Sequence, residues 1–265
     1  MGIVKKYTTH LGSEFLYFIL NVGRMGIYLF TCLFNVIKPP YKIIPVVRQL
    51  YFIGARSMTV IVVTGLFTGM VVALLGYHNL QKFGSVDLLG SAVGLGLIQE
   101  LGPVLAALMV IGRAGSSICA ELGIMRHSEQ IDALECMGID PYRFLLVPKY
   151  IATIISLPIL TCVFIVVGVF GGYLVAVVMH GISEGSYFMG MYDSVKWFDI
   201  RLGLTKSLLF GLIIVWISTF KGYFLHLNRS GSFGAEGVSR VTTDAVVLSS
   251  ISILVGDYLV GTIML

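Results

Sequence analysis

Three ionisable side chains stand inside long apolar runs of the sequence, where a charge can act only if the fold accommodates it. Glu100 lies about halfway along one run, Lys206 just inside another, and Asp257 deep in a third. A charge at the centre of a bilayer costs about 3 kcal/mol or more, so each should face a partner or a water-filled cavity. Glu100 and Lys206 have opposite signs and can balance each other, as a structural pair or as the polar lining of a substrate path. We expect Asp257 to be a structural hydrogen-bonding group.

A second set of acids stands outside the apolar runs, in the stretch EQIDALECMGIDP over residues 129–141. The acids at every third position are Glu129, Asp132 and Glu135, and the apolar residues between them are Ile131, Leu134 and Met137. At 3.6 residues per turn the two sets fall on opposite sides of a helix. Ser128 can cap the start of this helix and Gly138 can end it. The sequence therefore predicts a short two-faced helix that is too polar to cross a bilayer.

The elements that position these residues are predicted to be membrane helices. Of the 265 residues, 57% are hydrophobic and only 12% are charged, whereas a soluble domain carries about 25% charged residues. A soluble enzyme is therefore nearly excluded. The sequence also contains no GxxxxGK[ST] phosphate loop, no HExxH zinc motif and no GxSxG nucleophile motif. We expect a non-catalytic membrane protein with no metal site, no cofactor of its own and no nucleic-acid partner.

Five runs are long enough for a bilayer crossing of about 20 apolar residues. They are residues 49–77, 86–111, 144–179, 202–222 and 241–265. Before them, residues 11–37 are apolar but interrupted by polar side chains, which is typical of a helix lying in the membrane surface. A sixth crossing is the alternative for that segment. Pro103 removes a helical hydrogen bond just after Glu100, so the second span should bend beside its acid.

Glycines at GxxxG spacing, such as Gly65 and Gly69, allow close helix packing, either within one subunit or at a dimer seam. Lys and Arg are concentrated in the connections that this topology places on one side. By the positive-inside rule, the N-terminus and the helix at residues 129–141 are cytoplasmic and the C-terminus lies outside. We expect one membrane domain over residues 1–265, with an N-terminal segment at 1–47 and a five-span core at 48–265.

Several stretches of the sequence resemble one family. GLFTGMVVALLGY, SLPILTCVFIVVGVFGGYLV, SRVTTDAVVLSS and above all QELGPVLAALMVIGRAGSSICAELGIMRHSEQIDALECMGIDP are similar to the MlaE-type permeases, and the likeness extends from about residue 49 to the end. The resemblance implies an all-α integral membrane protein with an N-terminal interfacial helix and five transmembrane helices. It also implies the permease subunit of an ABC transporter that moves phospholipids at the bacterial inner membrane.

The same resemblance implies partners. Two copies form a homodimer, each copy docks on a separate ATPase subunit that binds ATP and Mg, and a periplasmic ring of MCE-domain proteins exchanges phospholipid with the pair. A lipid site lies between the two permease copies and opens outward. The acidic helix, within residues 113–141, corresponds to the coupling helix that fits into the ATPase.

The resemblance also implies two groups of site residues. The lipid-cavity residues are Glu100, Lys206, Gln99, Tyr77 and Asp257. The ATPase-coupling residues are Arg113, Glu121, Glu129, Gln130, Asp132, Glu135 and Arg240. Gln99 stands where the family often has Arg, which lowers the attraction that we expect between this cavity and a lipid phosphate.

Two other classes stay open at this point. A proton- or sodium-coupled carrier could use Glu100, Lys206 and Asp257 as a relay. It would leave the polar middle helix without a purpose, and no inverted repeat is evident in the sequence. A membrane-embedded lipid enzyme would need a reactive acid, His or metal cluster, which the sequence does not offer.

Overall fold

The computed structural model describes residues 2–38, 43–225 and 234–264 of the chain. Every regular element in these ranges is helical. The α-helices are α1 (Gly2–Ile37), α2 (Ile43–Ile53), α3 (Met58–Lys82), α4 (Leu89–Gly96), α5 (Gly102–Val110), α6 (Ser116–His127), α7 (Gln130–Cys136), α8 (Val147–Tyr173), α9 (Glu184–Ser194), α10 (Trp197–Tyr223) and α11 (Ala235–Met264). π-helical turns adjoin them at Leu97–Leu101, Ile111–Gly115, Tyr142–Leu146 and Leu174–Met179.

Six helical stretches within the described ranges are long and apolar enough to cross a membrane. They are Ile19–Ile37, Ile43–Lys82, Val86–His127, Tyr142–Met179, Trp197–Tyr223 and Ala235–Met264. The last five correspond to the five predicted spans, and the helices extend past most of the predicted bounds because polar residues at the span ends continue the same helices. The prediction of an all-α membrane protein is confirmed.

The helix α1 touches the rest of the protein near one end of the bundle. Tyr28 and Cys32 are its buried side chains among those that the structure describes. The rings around Tyr28 are Tyr142, Phe220, Tyr223 and Phe224. In addition, Trp216 Nε1 donates a hydrogen bond of 2.9 Å to the Met25 carbonyl. These partners lie near the end of α10 and just before α8, so α1 packs against the end of the bundle where α10 ends and α8 begins.

The helices α3 and α8 cross with their backbones in contact. A Cβ atom on Gly69 would overlap the backbone of Gly168, and one on Gly171 would overlap that of Leu66. Only glycine permits such an approach, as GxxxG spacing predicts. These glycines are therefore used within one subunit rather than at a dimer seam.

The short helix α7 lies at the same end of the bundle as two other connections. The end of α1, the start of α2 and the segment after α7 line one cavity. Another cavity lies between α6 and the start of α11. The helix α9 lies at the opposite end, where its Tyr187 backbone contacts Gly90. The end that holds α7 is the one that the Lys and Arg bias predicts to be cytoplasmic.

The predicted bend beside Glu100 is a π-helical turn at Leu97–Leu101. Such a turn holds one more residue than an α-helical turn and is frequent at functional sites. The helix α5 resumes directly afterwards, with Pro103 in its first turn, where the missing donor is tolerated. The backbone irregularity that Pro103 predicts is confirmed.

Candidate functional site

The three ionisable side chains of the apolar runs meet in one cluster. The Lys206 Nζ atom lies 2.8 Å from Oε2 of Glu100 and 2.8 Å from Oδ1 of Asp257. The Lys206 side chain is fully buried, whereas those of Asp257 and Glu100 are 21% and 46% exposed. Neither contact has hydrogen-bond geometry, since Lys206 Nζ and Asp257 Oδ1 lack such a partner. We therefore treat the three residues as an ion cluster held by charge at close range.

The charges in this cluster do not balance. One ammonium group faces two carboxylates, so the cluster carries one negative charge when all three groups are ionised. The expected pairing of Glu100 with Lys206 is present. Asp257 was expected to be a structural hydrogen-bonding group, but the structure makes it the second counter-charge of a buried cation that would be costly to leave alone.

The ion cluster lies toward the end of the bundle opposite α7. Lys206 is nine residues into α10, which begins at Trp197, so it lies about 14 Å from that end at 1.5 Å per residue. Glu100 belongs to the π-helical turn and keeps nearly half of its side chain accessible. The accessible face of the cluster is thus a carboxylate, with the lysine behind it.

Gln99 is engaged elsewhere. Its Nε2 atom donates a hydrogen bond of 2.7 Å to Oδ1 of Asp199, and the other oxygen of Asp199 accepts from the backbone N–H of Lys196. Asp199 thereby caps the start of α10 and ties it to the π-helical turn. Sequence reasoning missed Asp199, although an acid in the first turn of a helix is a recognisable capping signal. The family resemblance assigns Gln99 to the lipid cavity, but the structure gives its amide group a structural partner.

Tyr77 does not join the ion cluster in the described contacts. Its ring lies against His180, with 3.9 Å between the ring centroids, where α3 meets the turn after α8. This places it at the same end as the α3–α4 connection, as expected from the sequence. Among the predicted cavity residues, the structure therefore brings together Glu100, Lys206 and Asp257 and leaves Gln99 and Tyr77 outside their contacts.

The helix α7 forms where the acidic stretch predicts it and is attached to two spans. Arg126 at the end of α6 contacts Asp132 at 2.6 Å. Tyr223 at the end of α10 donates a hydrogen bond of 3.3 Å to Glu135. On the apolar side, Ile131 is fully buried against the bundle. Two of the three acids therefore have partners within the chain, although both stay accessible to solvent.

The ends of α7 agree only in part with the prediction. Gly138, with φ of 73°, ends the helix as expected, and the bonds from Gly138 N–H to Glu135 O and from Ile139 N–H to Leu134 O form a Schellman motif. The prediction that Ser128 caps the start is wrong. Its hydroxyl donates back to Ile124 O, and the cap position is Glu129, with φ of 57°. The backbone reverses at Glu129 itself, which leaves Ser128 on the preceding turn.

The remaining predicted coupling residues have partners of their own. Arg113 donates to the Phe52 carbonyl at 3.0 Å and to the Ser57 hydroxyl at 2.7 Å, so it joins α6 to the α2–α3 corner. Glu121 contacts the fully buried Lys149 at 2.6 Å. The last residue of the group, Arg240, faces Glu236 at 3.4 Å on the surface of α11.

These contacts define the surface of α7 that is free for another molecule. The residues of this surface, here called the α7 outer face, are Glu129, Gln130, Ala133, Cys136 and Met137, all exposed. Met137, which the sequence places on the apolar side of this helix, is 65% accessible. The α7 outer face is therefore a mixed polar and apolar patch at the end of the bundle where Lys and Arg are concentrated.

The fold and these two sites define a polytopic α-helical membrane protein, with a buried ion cluster in its spans and a short polar helix fixed at one end. The family model described as Permease MlaE matches residues 46–263. The chain therefore belongs to the MlaE permease family.

Relatives from bacteria and plants agree with this assignment. The intermembrane phospholipid transport system permease protein MlaE of Haemophilus influenzae is 38% identical over 265 residues, which cover 99% of this chain and 98% of that protein. A "Probable ABC transporter permease protein" of Rickettsia typhi is 39% identical over 96% of both chains. The chloroplastic protein TRIGALACTOSYLDIACYLGLYCEROL 1 of Arabidopsis thaliana is 34% identical over 81% of this chain and 60% of its own length.

Proposed function

We propose that this chain is the membrane-spanning permease subunit of an ABC transporter that moves phospholipids. The observation that carries the proposal is α7, a polar helix fixed to two spans with one face left open, in a chain of the MlaE permease family. A separate ATPase, which binds ATP and Mg, docks on the α7 outer face. The relatives named as an ABC transporter permease and a phospholipid transport permease support this function.

The contacts of α7 supply a physical route from the ATPase to the ion cluster. Asp132 ties α7 to α6, which continues through α5 to the turn that carries Glu100. Glu135 ties α7 to α10, which carries Lys206. A displacement of α7 therefore acts on both helices whose side chains pair in the cluster. Coupling of this kind needs a chain of contacts with two arrangements, and the Glu100–Lys206 pair is where they would differ.

The remaining parts of the proposal concern the assembly. Two copies of the chain form a homodimer with a lipid site between them, and a periplasmic ring of MCE-domain proteins exchanges lipid with that site. The complex lies in the bacterial inner membrane, with the α7 end in the cytoplasm. The Lys and Arg bias supports this orientation.

The experiment is ATP-dependent lipid transfer in liposomes that hold the chain and its ATPase. We expect Glu129→Lys with Gln130→Lys on the α7 outer face to reduce ATPase copurification and lipid transfer together. Asp193→Lys is the matched control, because Asp193 is an exposed acid on α9 at the opposite end. Unchanged copurification in the α7 variant would contradict the docking proposal. Transfer that continues without the ATPase and stops when an ion gradient is dissipated would favour an ion-coupled carrier.

A further inference from the structure

A cavity of about 320 Å³ lies at the α7 end of the bundle, apart from the ion cluster and from the α7 outer face. It is bounded by the end of α1, the start of α2, the segment after α7 and the start of α8. Its polar lining includes Asn35, Lys38, Asp140 and Arg143, and its apolar lining includes Val46 and Val147. We call it the basal cavity.

The polar side of the basal cavity is cationic and only loosely neutralised. Lys38 Nζ lies 3.9 Å from the centroid of the Phe34 ring, a cation–π contact. Arg143 Nε lies 3.9 Å from Oδ2 of Asp140, at the outer limit of an ion pair, and both side chains are 47% exposed. The other oxygen of Asp140 accepts the Tyr142 backbone N–H at 2.9 Å, which holds that carboxylate at the helix start. Among the lining residues that the structure describes, Lys38 and Arg143 against Asp140 give the rim a net positive charge.

The rest of the wall is apolar. Val46 of α2 and Val147 and Pro148 of α8 line it beneath the cationic rim. Two of the candidate membrane-crossing stretches, Ile43–Lys82 and Tyr142–Met179, begin here. The basal cavity therefore lies at the level where a bilayer surface meets water, and it combines an anion-binding rim with a wall for hydrocarbon. Such a pairing suits an amphiphile with a negative head.

We propose that the basal cavity binds the phosphate-bearing headgroup of an anionic lipid from the surrounding membrane. Arg143 and Lys38 contact the phosphate oxygens, as Arg and Lys commonly do. The Asn35 amide adds a donor, and the upper parts of the acyl chains lie along Val46 and Val147. The bound lipid bridges α1 and the connection from α7 to α8. This inference does not depend on the proposed transport function.

The test is native mass spectrometry of the full chain, purified with the subunits that accompany it, delipidated and titrated with lipid. We expect phosphatidylglycerol to bind at least about tenfold more tightly to the wild type than to the variant with Lys38→Gln and Arg143→Gln, since charged hydrogen bonds to phosphate are lost. The wild type and this double variant should differ less in their affinity for phosphatidylcholine. The charge-retaining variant with Lys38→Arg and Arg143→Lys should recover most of the binding.

The control variant is Arg48→Gln, which removes one positive charge, against two in the double variant, from an exposed position on α2 outside the basal cavity. It should bind phosphatidylglycerol like the wild type. Equal loss in the control, or no loss in the double variant, would overturn the proposal. Inorganic phosphate serves as the second probe. Competition by inorganic phosphate at the concentrations effective for the lipid would assign the cavity to a soluble anion instead.

Discussion

Replacing Lys206 by Met tests whether the ion cluster holds α10 and α11 together by charge. The change keeps most of the side-chain length but leaves Glu100 and Asp257 without their cation. Breaking a buried ion pair by removing one partner costs about 3–5 kcal/mol. The Asp257 contact is close to that case, because Lys206 is fully buried and Asp257 is 21% exposed. The Glu100 contact adds about 1 kcal/mol or less, since that side chain is 46% exposed and screened by solvent.

We therefore expect Lys206→Met to lower the free energy of unfolding by about 3–4 kcal/mol. Asp257→Asn alone leaves Lys206 with one half-exposed partner and should cost about 2 kcal/mol. The double variant lacks both members of the buried pair, so it should be more stable than the sum of the single effects predicts, by about 2 kcal/mol. The ion cluster therefore predicts that the double variant loses less stability than the two single variants added together.

The assay is denaturant unfolding of the full chain in detergent micelles, followed by circular dichroism. Thr205→Val is the control, because the Thr205 hydroxyl bonds only within α10, to the Arg201 carbonyl at 2.8 Å. It should change the free energy of unfolding by about 0.5 kcal/mol or less. Strictly additive effects of Lys206→Met and Asp257→Asn, or wild-type stability in the Lys206→Met variant, would refute the reasoning.

Three further changes have distinct expected outcomes. Gly69→Ala should destabilise the protein by about 2 kcal/mol or more, because its Cβ would overlap the Gly168 backbone. Gly96→Ala, with open space around it, should be neutral or slightly stabilising. Thermal unfolding distinguishes the two variants. Glu121→Gln leaves the buried Lys149 without its counter-charge and should lower the free energy of unfolding more than Lys149→Met, which leaves only a half-exposed acid unpaired. Equal losses in denaturant titrations would contradict this. Tyr223→Phe removes the hydrogen bond to Glu135 and should speed amide exchange in α7 about fivefold by hydrogen-exchange mass spectrometry.

The sequence predicts the parts of this fold that depend on local pattern. Hydropathy locates the five predicted spans among the six candidate stretches, and the acid spacing locates α7, because both signals repeat along one helix. Pro103 predicts the irregular turn beside Glu100 for the same reason. Helix ends are harder to predict, as the wrong prediction that Ser128 caps α7 shows. The reversal of the chain depends on which residue takes the left-handed conformation, and Glu129 takes it here against its usual preference.

Apart from the Glu100–Lys206 pair, which the opposite charges inside apolar runs suggested, contacts between distant helices were not predictable from one sequence. Nothing in the local pattern indicates that Asp257 reaches Lys206, 51 residues earlier, or that Asp199 takes the Gln99 amide. The same holds for Lys149, whose partner Glu121 was assigned to a docking surface. In each case the outcome depends on which faces of two helices meet, and that is decided by packing of the whole bundle.

The π-helical turn at Leu97–Leu101 inserts one additional residue into the helical stretch between α4 and α5. If the π-helical turn moved to the neighbouring turn, each side chain in between would rotate by about 100° around the helix axis and shift by about 1.5 Å along it. Glu100 would then point away from Lys206 with few backbone hydrogen bonds exchanged.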